Sequence, residues 1–478
     1  VATAEVSGPG FINLTVDDAL IAGGFSLVPP AVRAQRVLID YSGPNVAKEM
    51  HVGHLRSTIL GDAAARVLTW LEHDVVRVNH IGDWGTPFGM LIEHMLDVGG
   101  TDTDGLADLT AFYRAARVKF DTDDDFRTRA RHRVVALQSG DDLTRALWQR
   151  LVAVSETYFL DAYDRLDVTL TQDDFAGESF YNDRLPAVVD DLAALGLLRE
   201  SGGARCAFPP GFTGRDGEPL PLIVRKSDGG YSYAATDLAA VRYRVSELGA
   251  DRLLYVIGEP QRIHLQMVFA VARAAGWLPD KVRVEHISFG SVLGADGKML
   301  KTRAGSTVKL ATLIDEAVSR AAALNPAIAA EIGVGAIKWA DLSSDRASGY
   351  TLDFDRMLAL TGNTGPYLQY AYARIQSILS SKHEAGPVVL GEPPERALAL
   401  ELLAVEPVIA VVGESLEFHR LCAQLYAVAA AFSTFYEKCP VLTAPPGVRA
   451  SRLTLCRRTA DTLRLGLGLL GIRTPDRM

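Results

Sequence analysis

Two histidines, His51 and His54, close the segment Asp40-Tyr41-Ser42-Gly43-Pro44-Asn45-Val46-Ala47-Lys48-Glu49-Met50-His51-Val52-Gly53-His54. Three residues apart, they lie on one face of a first helical turn. A helix N-terminus there adds unpaired N–H groups and positive dipole character, which suits phosphate. Gly53 removes a side chain between them, so a flat base or ribose can approach the backbone. Two histidines that only cap a helix would read the same way, because so short a motif is not specific. A second segment, Gly297-Lys298-Met299-Leu300-Lys301-Thr302-Arg303-Ala304-Gly305-Ser306-Thr307-Val308, is basic and glycine-bearing. Lys298, Lys301 and Arg303 have the charge to neutralise a triphosphate and what develops on it during transfer. A solvated turn is the plain alternative. Together the two segments describe the two ends of a nucleotide site.

Such groups need a rigid frame. Arg36-Val37-Leu38-Ile39-Asp40-Tyr41 reads as a short buried strand, Gly43-Pro44 as a turn, and Leu55, Ile59, Leu60, Ala63, Val67 and Leu71 recur at helical spacing. Val75-Val76-Arg77-Val78 is a second strand, so the run forms a βαβ unit and predicts a parallel sheet. A second run follows Asp251: a strand at Leu253–Gly258, a helix at Leu265–Ala275 and a strand at Val282–Val284. Between the halves lies an insertion, about residues 99–225, with helices expected at 106–167 and 181–199 and a Gly/Pro-punctuated stretch at 208–221. In open parallel sheets, ligands bind at the carboxyl ends of strands, where the His51 segment falls. After about residue 355 the pattern is helical almost throughout. The expected class is α/β: a Rossmann-type parallel-sheet catalytic domain with an insertion, then an all-α helical-bundle domain.

The 478 residues, 48% hydrophobic and 22% charged, suit a globular chain of two to four domains. No apolar run approaches the roughly 18–20 residues of a membrane span, so no membrane partner is expected. With 49 Lys+Arg against 58 Asp+Glu, the net charge of −9 argues against a general nucleic-acid-coating role and leaves local basic surfaces open. Cys206, Cys422, Cys439 and Cys456 form no CxxC pair, so neither zinc nor a redox motif is visible. Isolated thiols suit a reducing compartment, and a cytoplasmic location is expected. Residues 1–22 read as one or two strands and a turn that cannot bury an apolar face alone.

The pairing of His51-Val52-Gly53-His54 with Lys298-Met299-Leu300-Lys301 resembles the two signatures of class I aminoacyl-tRNA synthetases. Longer stretches resemble the arginyl members: DYSGPNVAKEMHVGHLRSTILGD (40–62), NHIGDWGTPFGMLI (79–92), PLIVRKSDGGYSYAATDLAAVRYR (221–244), GKMLKTRAGSTVKL (297–310), SSDRASGYTLDFDRMLAL (343–360), GNTGPYLQYAYAR (362–374) and LGLGLLGIRTPDRM (465–478). The likeness spans nearly the whole chain. It implies activation of L-arginine by ATP to arginyl-adenylate, then transfer to the 3′ end of tRNA(Arg). By the same likeness, His51, Gly53, His54, Lys298 and Lys301 bind ATP, and Lys48 compensates for a second signature in which Leu300 replaces a Ser. Asp40, Asn45 and His51 from the first half match arginine-pocket positions, as do Tyr233, Asp237 and Gln261 from the second. Two carboxylates and a Tyr hydroxyl suit a guanidinium, whose five donors need fixed acceptors. ATP with Mg2+ on the pyrophosphate side, no zinc and a monomer are implied.

The likeness divides the chain into residues 1–22, the remnant of an added N-terminal domain; 23–360, the catalytic domain; and 361–478, an anticodon-binding bundle. From Arg449 to Met478 seven Arg face Asp461 and Asp476, and a helix carrying Arg449, Arg452, Arg457 and Arg458 is the expected tRNA surface. An ordinary solvated helix face is its alternative. Ala235, Ser306 and Gly365 depart from the Thr, Gly and Ala expected there. Besides the ligase, a paralogue using activated arginine on a small molecule is a second reading, resting on the missing front domain. A non-catalytic RNA-binding relative is a third, against which the intact site residues argue.

Overall fold

The computed structural model describes residues 3–99, 109–214, 216–294, 296–300, 308–381 and 383–478. At its centre a four-stranded parallel sheet runs in the order β2–β1–β3–β4, with β1 Arg36–Asp40, β2 Asp74–Val78, β3 Arg252–Tyr255 and β4 Arg283–His286. Helix α1, Val52–Trp70, joins β1 to β2; α2, Tyr233–Ser246, precedes β3; and α3, Arg262–Ala274, joins β3 to β4. Both βαβ runs therefore lie where the apolar periodicity put them. Asp40 pairs with Val78 on one side and Tyr255 on the other. Strand order reverses at β1/β3, and the ends of those two strands open onto one crevice. Val37, Leu38 and Ile39 are fully buried, the continuous apolar run of a strand covered on both faces.

Helix α1 lies unusually close to β1. A Cβ at Gly61 would sit 2.2 Å from Cγ of Tyr41, so only glycine lets the helix rest on that ring. Arg56, on the same helix, is buried against Asp341 at 3.2 Å and donates to the carbonyls of Gly290 and Ser348. Those bonds tie the first half to the segment after β4.

The insertion holds helices at Leu109–Thr122, Asp124–Ser139 and Asp142–Arg165, within the stretch expected to be helical. The expectation over 181–199 needs correction. Only Leu185–Ala194 is α-helical, and Leu198–Ser201 begins an antiparallel sheet with Ala204–Ala207 and Leu222–Arg225. Gly202 and Gly203, both at positive φ, make the tight hairpin turn that matches strand twist. That Gly-Gly pair was the available signal.

Residues Thr3–Ser7 and Phe11–Thr15 form an exposed hairpin, and the helix Asp18–Gly23 packs against the C-terminal bundle, where Arg396 bonds Asp18 at 2.8 Å. The bundle comprises Gly365–Leu379, Pro393–Leu403, Val405–Ser415, Phe418–Lys438 and Pro446–Leu469. Its apolar interior is continuous with the core around α1. The final segment returns to the catalytic half: buried Lys338 donates to the Gly471 carbonyl at 2.7 Å, and Arg473 pairs with Asp167 at 2.7 Å. All four cysteines are free and buried. Among the described residues no helix is long and apolar enough to cross a membrane.

Gly61→Ala should lower stability by about 1–3 kcal/mol through overpacking against Tyr41, read as a lower denaturant midpoint. An unchanged midpoint would show that α1 can lift off the ring without cost.

Candidate active site

Between β1 and α1 the backbone turns through two left-handed non-glycine residues, Ser42 (φ 72°) and Ala47 (φ 61°). Each costs of order 1 kcal/mol, and each is tied down. The Ser42 N–H donates to Ser57 Oγ at 2.9 Å, and that hydroxyl donates to the Val256 carbonyl at 2.5 Å, spanning the ends of β1 and β3. Ser42 Oγ lies 2.7 Å from the Tyr163 hydroxyl, and the Ala47 N–H donates to Ser155 Oγ at 2.9 Å. The insertion helix Asp142–Arg165 thus buttresses the loop that carries the site.

His51 is the N-cap of α1. Its Nδ1 accepts from the Gly53 N–H at 3.0 Å, while Nδ1 of His54 accepts from the His51 N–H at 3.1 Å. The rings sit 4.0 Å apart. The histidines therefore cap the helix and also form a pair. Burial pushes the His54 imidazole down to about 3, and burial followed by the nearby Lys48 ammonium lowers His51. Neutral rings whose Nδ1 atoms accept must carry the proton on Nε2, so two N–H donors are presented at the helix N-terminus. A Cβ on Gly53 would fall 2.7 Å from the His51 ring, a second reason for glycine there. Lys48 is exposed, its ammonium 4.6 Å from the centre of the Tyr113 ring.

The second segment reaches the first through its far end. Val52 N–H donates to the Val308 carbonyl and Leu310 N–H to the Met50 carbonyl, both at 2.9 Å, and Lys309 pairs with Glu49 at 2.6 Å. Its near end is a tight turn in which Gly294 N–H donates to the Lys298 carbonyl, leaving Lys298 exposed. Lys301 and Arg303 lie outside the described residues.

At the sheet's switch point a cavity of about 240 Å³ is lined by Asp40, Gly53, His54, His80, Asp237 and Tyr255, among others. It brings together residues from both halves: two carboxylates and one of the histidines. Asp40 is buried and already paired with Arg244, at 2.7 Å, whose guanidinium is itself buried. Asp237 is bonded to Nε2 of His264 at 2.6 Å. Tyr233 stands one helical turn before Asp237, two-thirds exposed, with its ring against that of His264. Asn45 and Gln261 are exposed and outside this cavity's lining, Asn45 bridging to Gly82 and Gln261 in the turn before α3.

Three groups went unmarked in the sequence. Arg244 and His264 each engage a carboxylate named above. Glu178 lines a neighbouring cavity of about 710 Å³, and burial, then the carboxylates of Asp83 and Asp237, push it up to about 7. No spacing or motif distinguishes these residues from ordinary surface charge.

The expected basic surface needs correction too. Arg452 is buried, pairing with Glu395 at 2.6 Å and donating to the Pro440 carbonyl. Arg458 donates to the Ala22 carbonyl and covers Phe25, holding the N-terminal segment. Arg457 is exposed and Arg449 partly so. In the insertion, Arg127, Arg129 and Arg133 are taken up by Asp124, Asp97 and Glu93.

Comparison with known proteins adds the family. Residues 15–354 match the family described as tRNA synthetases class I (R), catalytic domain, and residues 368–478 match the DALR anticodon binding domain. Arginine–tRNA ligase of Thermobifida fusca is 54% identical over 99% of this chain and 87% of its own length. Among solved structures, arginyl-tRNA synthetases of Plasmodium falciparum and Thermus thermophilus align over 100% of this chain with TM-scores of 0.84, at 30% and 26% identity, covering 86% and 88% of those chains.

The lowered His54 has a sign that can be checked. Between about 6.5 and about 3 the unfolded chain holds a proton that the folded chain refuses, so stability falls as pH falls through that window. His54→Asn, which keeps an acceptor, should flatten the drop in urea midpoint between about pH 7 and about pH 5. Equal drops in both proteins would show that His54 is not held neutral.

Proposed function

This chain belongs to the class I tRNA synthetases of the arginyl type, whose activity is ATP-dependent ligation of arginine to tRNA, and we propose how its own residues divide that work. The observation that carries the reading is the switch-point cavity itself. Its lining holds Asp40 and Asp237 together with His54 and Gly53 of the α1 N-terminus, where His51, just outside the lining, forms the cap paired with His54.

The arginine carboxylate attacks the α-phosphate of ATP, pyrophosphate leaves, and negative charge builds on the phosphoryl oxygens. Nε2–H of His51 and His54, at the positive end of the α1 dipole, hold that charge without needing to rearrange. Because both rings are neutral, they donate hydrogen bonds without retaining the product as a fixed cation would. Lys48, Lys298 and Lys301 act on the departing phosphates. Asp40, Asp237 and the Tyr233 hydroxyl receive the guanidinium, and Asn45 and Gln261 orient the α-amine. Mg2+, when bound, would supply charge neutralisation on the pyrophosphate side. The residues assigned to the phosphates are N–H and ammonium donors, so the cation would have to be held by the nucleotide and not by this chain. Reaction then needs positioning and electrostatics, with no covalent enzyme intermediate.

Residues 23–360 form the catalytic domain in this reading and 361–478 bind the anticodon arm of tRNA(Arg), with Arg449 and Arg457 toward the phosphate backbone. Four buried thiols suit a reducing compartment, so a cytoplasmic location belongs to the same reading. The small-molecule alternative has no observation in its favour, since the bundle itself matches an anticodon-binding domain.

Arginine-dependent ATP–pyrophosphate exchange, with and without tRNA(Arg), together with charging of that tRNA, tests the assignment. Exchange and charging are expected together; exchange without charging would overturn the ligase reading. Asp237→Asn should raise KM for arginine about ten- to hundredfold, by weakening a charge-assisted bond, and leave KM for ATP unchanged. A rise for ATP alone would move Asp237 out of the arginine pocket.

A further inference from the structure

His264 has no place in the division of work above, yet it touches two of the residues proposed to hold the guanidinium. It projects from the first turn of α3. Its Nε2 lies 2.6 Å from Oδ2 of Asp237, and its ring centre is 5.0 Å from that of Tyr233, the planes tilted by 59°. Tyr233 and Asp237 belong to α2, so this one imidazole crosses from a neighbouring helix and holds both. It also stands on a boundary. Asp237 lines the switch-point cavity, whereas His264 and Tyr233 line a separate, apolar groove of about 310 Å³ with Ile263 and Met267.

A guanidinium is planar and donates in a rigid fork, so it gains most from a carboxylate held in one plane. An aspartate does not hold that plane by itself, because its terminal torsion is broad. Among the described residues the Asp237 carboxylate has one side-chain hydrogen bond, to His264. That bond pins Oδ2 and leaves Oδ1 unengaged. An ionised carboxylate offers about four lone-pair sites, so one imidazole N–H fixes the group without filling it. Tyr233 is two-thirds exposed and has little else to settle its ring. The same imidazole therefore limits where the phenol can stand.

We propose that His264 is a positioning residue for arginine: its Nε2–H orients the Asp237 carboxylate, and its ring sets Tyr233, so that the two present one preformed face to the guanidinium. It does not touch the reacting atoms. Its effect belongs in the affinity for arginine and not in that for ATP, which is handled from α1. The inference rests on the reading that this chain activates arginine.

Three substitutions separate the roles. His264→Phe keeps a ring beside Tyr233 and removes the donor. His264→Gln keeps a donor at nearly the reach of Nε2. His264→Asn is equally polar but too short to reach Asp237, and it serves if the Phe variant folds poorly, since the site is partly exposed. Arginine-dependent ATP–pyrophosphate exchange, with tRNA present, gives both KM values. His264→Phe and His264→Asn should raise KM for arginine at least about tenfold with KM for ATP within about twofold, and His264→Gln should restore most of the loss. An unchanged arginine KM in the Asn variant, a parallel rise for both substrates, or a Gln variant no better than Asn would each overturn the proposal. Absence of arginine-dependent exchange in the unsubstituted protein would instead overturn the reading beneath it.

Discussion

The seating of α1 on β1 sets the geometry of the whole site. Gly61 lets the helix descend onto the Tyr41 ring, and in that seating the Ser57 hydroxyl bonds both Ser42 and Val256. One side chain thereby fixes the ends of the two strands between which the cavity opens. The left-handed turns at Ser42 and Ala47 are local strain of the sort that persists only where surroundings over-determine it. Here the surroundings come from α1 and from Tyr163 and Ser155 of the insertion. The insertion therefore braces the loop that carries the candidate site, although it interrupts the sheet's sequence.

In the proposed reading the site meets opposite electrostatic demands, one at the start of α1 and one at Asp40 and Asp237. Phosphate wants donors, and a guanidinium wants acceptors. The histidines would meet the first demand as neutral rings, kept so by burial and by a reciprocal cap in which each Nδ1 accepts. On the other side, two carboxylates would carry two negative charges toward a ligand cation of one. Arg244 removes that mismatch, because it is buried against Asp40. Asp40 is thereby offset, which in the proposed reading leaves Asp237 as the carboxylate open to a guanidinium. Leaving a second carboxylate buried and uncompensated would be costly in so dry a place.

The parts legible in the sequence are those in which structure and chemistry are local. Both βαβ runs follow from apolar spacing, and the His51 segment reads as a phosphate site because its histidines, glycine and helix start lie within a few residues. The Gly202-Gly203 hairpin was equally local, and the helical reading of 181–199 ran into its first strand, Leu198–Ser201. Arg452 shows the opposite case. Its neighbours in sequence make a basic stripe, but its guanidinium turns inward to Glu395, 57 residues earlier, so the stripe is not one surface. Charge pattern along a helix does not reveal which face the bundle buries.

The carboxylate side of the cavity, where arginine is proposed to bind, was only half legible for the same reason. Asp40 and Asp237 are far apart in the chain, and nothing in either segment shows that each already has a partner. Arg244 reads as one more cation in a charged helix, and His264 as a polar residue at a helix start. Their roles exist only once α2 and α3 pack beside β3 and deliver them to carboxylates on other elements. In the proposed reading, recognition of phosphate is written into one turn of helix because its two histidines cap each other within three residues. Recognition of a side-chain cation needs acceptors whose planes are held by other side chains, and those have to be gathered from across the fold. The positioning shell is thus the part of such a site that sequence conceals and packing reveals.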